Sequence, residues 1–363
     1  MKNGWEIKKL GDVCEFDKAQ GIHRGLPYVG LEHIESHTAR FIGSANPQLA
    51  KSATFRFSDQ HILYGRLRPY LNKALAPDFE GHCSTEIFPL KPSRELSREY
   101  LLYWLLADET CERINATCTG ARMPRAQMNE VLGFDFPIPP LAEQQRIVGV
   151  LDEAFASLAT AQANAEKNLQ NARALFESHL QSVFTQRGDG WVAKPLGECF
   201  RLKSGDGLIS KEMKDGAYPV FGGNGIAGQH AQFNLSGDNV IVGRVGALCG
   251  NARHITEKIW LTDNAFKLVE FSADFDNRFL TYLLNYKNLR SLARQAAQPV
   301  ISNSSLKDLK LEFPSRAEQR RIAAKLDALT TDTQRLENLY KQKQAALAAL
   351  KKSLLHQAFA GEL

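Results

Sequence analysis

The sequence lacks the motifs that mark several common classes of enzyme and membrane protein. No run approaches the roughly 18 consecutive apolar residues that a membrane-spanning helix needs. There is neither an Asn-Pro-Pro-Tyr or Asp-Pro-Pro-Tyr methyltransferase motif nor a Gly-x-x-x-x-Gly-Lys-Ser/Thr phosphate loop. Pro77-Asp78 is not followed by the acid-x-Lys that would complete a nuclease triad of that type. We therefore expect catalysis to reside on other chains.

Cysteine and histidine are too scattered to indicate a metal or redox site. No two of the six cysteines form a Cys-x-x-Cys pair, and the nine histidines show no metal-ligand spacing. We expect reduced, mostly buried thiols and no metal. The stretch that begins at Met1 is charged and amphipathic, without the apolar core of a signal peptide, which favours a cytoplasmic protein.

Length and charge suggest more than one unit and an uneven surface. The 363 residues exceed what one ordinary domain holds. The formal net charge is +5. Residues 1–141 contain 17 basic and 17 acidic residues, whereas residues 186–316 contain 17 basic and 13 acidic residues. A mildly basic chain is compatible with phosphate binding but does not establish it.

An internal repeat dominates the sequence. The run Ala-Glu-Gln-Gln-Arg-Ile at 142–147 returns as Ala-Glu-Gln-Arg-Arg-Ile at 317–322, an offset of 175 residues. The same offset places Phe184 on Phe359, so two segments of 44 residues align without a gap. Both are rich in Ala, Leu, Gln, Glu and Lys, a composition typical of helices. Each helix would be roughly 66 Å long.

Apolar residues recur along both segments in steps of three and four, which predicts a coiled-coil seam. The seam includes Leu175 and Leu350, and it places the polar pair Asn168 and Lys343 at equivalent positions that commonly fix register. The residues predicted to pack the helices or a partner are Ile147, Leu151, Leu158, Ile322, Leu326, Leu329, Leu336 and Leu347.

The regions before the two helices repeat more weakly. Gly65-Arg66 matches Gly243-Arg244, and the same offset places Phe88 on Phe266. The β-type runs 53–57, 61–64, 239–242 and 258–261 predict strands, and 99–106 and 278–284 predict short helices. The predicted fold class is α+β, with mixed α/β domains at 1–141 and 187–316 and long helices at 142–186 and 317–363.

This order of a Trp-containing start, a divergent domain, a Pro-rich run and a long helix, all repeated, resembles the specificity subunits of type I restriction–modification systems. The resemblance covers essentially the whole chain, and its most specific parts are 139–147 and 317–322. Ser315-Arg316 depart slightly from the Pro-Leu that the family pattern favours. The resemblance implies two target-recognition domains separated by two long antiparallel helices, with an internal pseudo-twofold repeat.

The resemblance also implies what the protein does and with which partners. Each domain would read one half of a split double-stranded DNA target, and the chain itself would be non-catalytic. Two DNA-adenine methyltransferase subunits would dock, and a restriction and translocase subunit would join in a complete system. S-adenosylmethionine and ATP with magnesium would belong to those partners, so that this chain carries no cofactor.

In the first domain, the densest set of potential DNA contacts lies in 64–73. Arg and Lys suit phosphates and guanine edges, and Asn and Gln suit adenine edges. The alternative is a solvated hairpin in which Arg stacks on Tyr. A second basic loop spans 120–125. The candidates are Arg66, Arg68, Tyr70, Asn72, Lys73, Arg122 and Arg125.

In the second domain, Arg244 occupies the turn equivalent to that of Arg66, so a structural role shared by both domains competes with DNA contact. The polar loop 298–305 supplies Asn303 and Ser304 as further candidates. Asn224 and Gly225 lie in a Gly-x-Gly-x-x-Gly run that reads as a DNA-approaching turn, a plain tight turn or a dinucleotide site. The last needs a helix immediately afterwards, and no convincing helix follows.

Two other functions compete with DNA recognition. One is a coiled-coil structural adaptor whose domains are caps, which would bind DNA with little salt dependence. The other is an enzyme that uses the glycine-rich turn, which a nucleotide would stabilise thermally without partners.

Overall fold

The computed structural model describes residues 4–48, 50, 52–120, 122–294 and 299–363. The chain forms two compact units. The first contains the chain up to Glu166 together with Lys341–Leu363, and the second contains Lys167–Tyr340. Within the described residues, no helix combines the length and apolar character needed to cross a membrane.

The first unit is mixed α and β. Its strands are β1 (Glu6–Lys9), β2 (Cys14–Phe16), β3 (Gln20–Gly21), β4 (Tyr28–Val29), β5 (Thr54–Phe57), β6 (Ile62–Gly65), β7 (Ala74–Leu75), β8 (Gly81–Cys83), β9 (Ile87–Pro92) and β10 (Asp135–Ile138). Its short helices are α1 (Leu10–Val13), α2 (Arg98–Leu106), α3 (Asp108–Ala116) and α4 (Met128–Leu132). Helix α2 begins at Ser97, whose Oγ accepts a hydrogen bond from the Tyr100 N–H and so caps the helix.

Two four-stranded sheets and one two-stranded ribbon organise this unit. One sheet has the order β2-β9-β6-β7, and the other has the order β3-β5-β8-β4. The ribbon pairs β1 with β10 and leads into a long helix. The main core lies between the first sheet and α2, where Trp104 and Tyr100 meet Phe136 edge to face.

The second unit repeats this plan with fewer elements. Its strands are β11 (Val192–Pro195), β12 (Arg201–Ser204), β13 (Tyr218–Gly222), β14 (Gly225–His230), β15 (Asn239–Gly243), β16 (Ala252–Ile255), β17 (Trp260–Leu261), β18 (Ala265–Val269) and β19 (Lys310–Phe313). Its short helices are α6 (Leu196–Cys199), α7 (Asn277–Tyr286) and α8 (Asn303–Leu306). Each unit thus contains the strands predicted for it and the one short helix predicted for it, α2 in the first unit and α7 in the second.

The sheet order shows that the two globular parts are copies of one design. The sheet β12-β18-β15-β16 has the connectivity and antiparallel pairing of β2-β9-β6-β7. The ribbon of β11 and β19 matches that of β1 and β10. The other sheet has diverged, because the second unit has the three strands β14-β13-β17 in its place.

Two long helices, α5 (Leu141–Thr185) and α9 (Arg316–Ala360), are the longest elements. In the second unit, Arg173 of α5 donates to Glu337 of α9 (2.8 Å), and Phe184 shares a core with Leu326. In the first unit, Leu151 shares a core with Leu355. In each unit a later residue of one helix meets an earlier residue of the other, so the local packing is antiparallel.

The buried face of these helices follows a period closer to 3.6 than to 3.5 residues. An α-helix drifts by about 20° per heptad relative to a strict 3.5-residue repeat. The heptad prediction is therefore wrong at several positions: Leu336 is 38% exposed, Leu350 48% and Leu175 64%, and Asn168 and Lys343 are exposed as well. Buried or half-buried positions include Leu158, Ala165, Ala172, Leu329, Thr333, Tyr340 and Leu347 of the predicted seam, and also Phe176, Glu337 and Gln344, which lie outside it.

Over about their first three turns, the long helices belong to the globular cores. Ile147 and Leu151 are fully buried among α2 and β10, and Leu326 is fully buried in the core around α7. Ile322 is 8% exposed there. These residues, predicted as packing residues of a helical seam, anchor each helix to a domain.

Candidate nucleic-acid interface

The turn that follows β6 in the first unit and the turn that follows β15 in the second unit are held by the same backbone hydrogen bonds. In the first unit, the Arg66 N–H donates to the Glu86 carbonyl (2.9 Å), and the Arg66 carbonyl accepts from the Ala126 N–H (2.9 Å). In the second, the Arg244 N–H donates to the Asn264 carbonyl (2.9 Å), and the Arg244 carbonyl accepts from the Ile301 N–H (3.0 Å). Each turn is thereby tied to the segment that precedes the last strand.

The recurring arginines of these turns stack on phenylalanines of the neighbouring strand. The Arg66 guanidinium lies 5.3 Å from the centroid of Phe88, and that of Arg244 lies 5.6 Å from Phe266. Their Nε atoms are buried and have no hydrogen-bond partner among the described residues. This geometry, the same in both units, favours the structural role for Arg66 and Arg244 over DNA contact.

The first unit brings the two predicted basic loops together. Arg68 has left-handed backbone angles (φ 52°), and its N–H donates to the Pro124 carbonyl (2.8 Å), beside Arg122. The side chains of Arg68 and Arg122 are exposed, and Tyr70 is 49% exposed. We call Arg68, Tyr70 and Arg122 the first candidate surface. Ala121 of the basic loop lies outside the described residues.

Three other candidates of the first domain are engaged within the protein. Asn72 is fully buried, and its Nδ2 donates to the Leu106 carbonyl (3.3 Å). Lys73 donates to the Leu31 carbonyl (2.6 Å), and Arg125 forms a two-pronged ion pair with Glu86 (2.9 and 3.0 Å). These contacts argue against Asn72, Lys73 and Arg125 as base readers, because their donors are used or hidden.

The glycine-rich run of the second domain is a hairpin. Gly223 and Asn224 connect β13 to β14, so a strand follows where a dinucleotide site needs a helix. A Cβ at Gly223 would lie 2.0 Å from the Val245 carbonyl oxygen, which explains that glycine. Gly225 has a φ of +100° and is buried. The interpretation as a dinucleotide site is therefore wrong. The run is a tight turn, and both the plain turn and the turn that approaches DNA remain open.

The hairpin tip, the Arg244 turn and the polar loop lie together in the second unit. Asn224 is exposed, and its Oδ1 accepts from the Leu248 N–H (3.0 Å). The Gly246 N–H donates to the Pro299 carbonyl (3.2 Å), which brings the polar loop to the turn. Asn224 and Ser304 are the exposed candidates of this region, and we call them the second candidate surface. Gln298, at the start of that loop, lies outside the described residues.

Asn303 is held by backbone rather than presented to solvent. Its Oδ1 accepts from the Leu202 N–H (3.0 Å), and its Nδ2 donates to the Leu202 carbonyl (2.8 Å). Both functions of the amide are used to fix the edge strand β12, which argues against the predicted base-reading role. Ser304 is exposed, and its hydroxyl lies 2.8 Å from that of Ser302.

The Glu-Gln motif of each long helix joins that helix to its domain. Gln144 is fully buried; its Nε2 donates to the carbonyls of Pro139 and Glu95 (both 2.8 Å), and its Oε1 accepts from the Ser97 N–H (2.7 Å). Gln319 makes the same set with Pro314 (2.9 Å), Asp274 (3.1 Å) and Asp276 (2.9 Å). A second shared link is a tyrosine on the short helix.

That tyrosine donates its hydroxyl to an aspartate of the long helix in both units. Tyr103 donates to Asp152, and Tyr282 donates to Asp327 (2.8 Å). Burial, together with the neighbouring carboxylate, raises the pKa of Tyr282 to about 12. In both units, therefore, the buried glutamine and the tyrosine–aspartate hydrogen bond hold the domain on its long helix. These contacts fix the candidate surface within its own unit.

The family model that describes the type I restriction modification DNA specificity domain matches the chain twice, at residues 2–169 and 188–346. The chain belongs to this family. Each match includes one globular part and a stretch of the long helix that follows it. This family member therefore carries the specificity domain in two copies, as the repeated sheet order of the two units indicates.

Curated relatives of this specificity-domain protein are specificity subunits of type I restriction enzymes. The EcoprrI subunit of Escherichia coli is 31% identical over 218 residues, 58% of this chain and 54% of that protein. The EcoDI subunit of Escherichia coli is 28% identical over 193 residues, 51% and 42% respectively. The StySPI subunit of Salmonella potsdam is 24% identical over 311 residues, 76% and 67%. The chain spans about half the length of the first two relatives.

Solved structures show the same fold. A chain from a study titled for the complex assembly and conformational transition of the type I R-M system has a TM-score of 0.83 at 21% identity, covering 100% of this chain and 99% of that one. An HsdS subunit from Thermoanaerobacter tengcongensis has a TM-score of 0.67 at 20% identity, covering 100% and 98%. At these identities the likeness is one of fold.

Proposed function

We propose that this chain recognises a DNA sequence in two parts and directs separate methyltransferase subunits to it. The observation that carries the proposal is the double match to a DNA specificity domain on a chain whose two units repeat one sheet order. A reader that occurs twice suits a target that consists of two half-sites. The chain acts as the reader and has no part in the chemistry.

The two candidate surfaces supply the groups that such reading needs. Arg68 and Arg122 are exposed, and arginine suits both phosphates and the O6 and N7 atoms of guanine. Asn224 is exposed at a hairpin tip, and asparagine suits adenine. Tyr70 and Ser304 add hydrogen-bonding groups at the same places. Each surface is built on turns fixed to a sheet, which is a rigid support for a reader.

The partners follow from the same proposal. The curated relatives are subunits of type I restriction enzymes, and we expect this chain to bind two methyltransferase subunits and a restriction and translocase subunit in a complete system. S-adenosylmethionine and ATP with magnesium would be bound by those subunits. The complex would act on DNA in the cytoplasm of a prokaryotic cell.

A genome-wide map of modified bases tests the proposal directly. Cells with and without this gene are compared, with the neighbouring methyltransferase kept intact. We expect a split motif that is modified in the first strain and unmodified in the second. An unchanged map in a strain that expresses all partners would contradict the proposal and would favour a structural adaptor.

Arg68→Ala tests whether the first surface reads bases. One lost base contact costs about 1–3 kcal/mol of discrimination, so we expect relaxed sequence choice in one half-site of the modified motif and no change in the other. Arg94→Ala is the matched control, since Arg94 is exposed in the same domain but lies in the loop that follows β9. Relaxation in both half-sites, or an equal effect of Arg94→Ala, would rule out independent reading by this surface.

A further inference from the structure

The register of the second unit's main sheet aligns three basic residues in one row. Lys203 of β12 pairs with Lys267 of β18, Lys267 pairs with Ile241 of β15, and Ile241 pairs with Arg253 of β16. Residues directly opposite on neighbouring strands share a face of the sheet. With strands about 4.8 Å apart, the row is about 14 Å long. We call Lys203, Lys267 and Arg253 the basic row.

The arrangement costs stability unless something neutralises it. Like charges directly opposite each other on adjacent strands are destabilising, and Lys203 and Lys267 are such a pair. None of the three side chains has a hydrogen bond or ion pair among the described residues. By contrast, Arg201 on the same edge strand pairs with Glu270 (3.2 Å). The basic row therefore carries three unneutralised cations, with Ile241 between Lys267 and Arg253 buried in an apolar cluster.

The row is exposed at Lys203 and becomes more buried towards Arg253. Lys203 is exposed, and Lys267 and Arg253 are half-buried. The Arg253 guanidinium lies beside the hairpin tip, where a Cβ on Gly225 would be 3.4 Å from its Nη2. Burial lowers the pKa of Arg253, which means that its charge is less well solvated than in water. The row thus leads up to Asn224 and the second candidate surface.

The equivalent row of the first unit has a different character. There Pro89, Leu63 and Leu75 stand at the positions of Lys267, Ile241 and Arg253. All three are buried, and Leu63, like Ile241, lies in an apolar cluster. The fold therefore does not require charge at these positions. The net charge of the globular sequences differs in the same direction, with equal numbers of acidic and basic residues in 1–141 and an excess of basic residues in 186–316.

We propose that Lys203, Lys267 and Arg253 bind backbone phosphates of DNA, so that the second domain holds the DNA backbone through a contact that the first domain lacks. The proposal rests on the DNA-recognition function proposed above. A row of about 14 Å covers the rise of roughly four base pairs. Phosphate contacts position the reader and carry no sequence information, so the row sets affinity rather than the bases that are read.

The test is the salt dependence of DNA binding by the full-length chain. A fluorescent 30-base-pair duplex of arbitrary sequence is titrated at several KCl concentrations, and log K is plotted against log [KCl]. Each lost phosphate contact lowers the slope by about 0.9, so Lys203→Gln should lower it by about 0.9 and the triple Gln variant by about 2.7. Arg253→Lys, which keeps the charge, should leave the slope close to that of the wild type.

Lys310→Gln is the matched control, because Lys310 is exposed on β19, in a different sheet of the same unit. We expect an unchanged slope for this variant. Salt-dependent binding by the wild type with no change in Lys203→Gln and in the triple variant would overturn the basic row while leaving DNA recognition in place. Absence of any salt-dependent binding by the wild type would overturn both proposals. Circular dichroism of each variant verifies that the sheet is intact.

Discussion

Gln144 and Gln319 each join three separate pieces of backbone with one buried amide. Both are fully buried, and each holds the carbonyl before its own helix and two backbone groups of the loop before α2 or α7. A buried polar backbone group that loses its partner costs more than an average hydrogen bond contributes. The residue that makes the repeated motif recognisable is therefore the one that fixes the domain on the helix.

Gln144→Leu should destabilise the protein markedly. The variant removes three hydrogen bonds, and each group left unpaired costs about 1–3 kcal/mol. Urea unfolding followed by circular dichroism measures the loss. Gln145→Leu is the control, since Gln145 is exposed on the same turn and should change the free energy of unfolding by less than about 0.5 kcal/mol. Equal losses for the two variants would contradict the assigned role.

Residue type indicated the candidate DNA contacts, but burial and hydrogen-bond partners decide which of them are available to DNA. Asn72 and Arg68 are neighbours in one turn, yet one is fully buried and the other is exposed. Arg125 is an equally plausible reader in the sequence, and Glu86, 39 positions earlier, pairs with it. Sequence periodicity does not contain these differences, since they depend on which loop folds over which strand.

In the long helices, local sequence determines where the helix lies, whereas tertiary contacts determine which face is buried. Their existence and bounds follow from composition and the 175-residue repeat, because helix formation depends on neighbouring residues. Which face is buried depends on partners. Near the first turn of α9 the partner is a globular core, and further along it is the other helix, so a strict heptad assignment loses the buried stripe.

Leu326→Ala and Leu336→Ala form a matched pair within α9. Leu326 is fully buried in the core around α7. Replacing a buried leucine by alanine leaves a cavity and lowers the free energy of unfolding by about 2–5 kcal/mol. Leu336 is 38% exposed, and its truncation should cost under about 1 kcal/mol. Denaturant unfolding of both variants measures the difference. A seam of strict heptads would instead give comparable losses.

At the scale of the molecule, the chain has two large cores that share no residue. One lies in the first unit and includes Leu355, and the other lies in the second unit and includes Leu283. Each core contains residues from both long helices. The first unit joins the chain up to Glu166 with Lys341–Leu363, whereas the second is the single stretch Lys167–Tyr340. The end of each long helix therefore packs in the core of the other repeat, and the first unit is complete only with the last part of the chain.

Separate cores predict two components in thermal unfolding. Leu355→Ala should lower the Tm of one component, and Leu283→Ala should lower the Tm of the other, because each leaves a cavity in a different core. For a unit of this size each kcal/mol shifts Tm by about 2–4 °C, which differential scanning calorimetry resolves. A single transition that both variants shift equally would mean that the units unfold as one.

The sequence by itself determined the duplication, the two long helices, the strand segments and the family, because all of these depend on local composition or on residues at fixed spacing. Tertiary structure alone decided which arginines are free and which are stacked or paired. It alone brought Lys203, Lys267 and Arg253 into one row, from positions separated by up to 64 residues in the chain. The physical reason is cross-strand register, which sets side-chain neighbours through backbone hydrogen bonds between distant segments and leaves no periodic trace in the sequence.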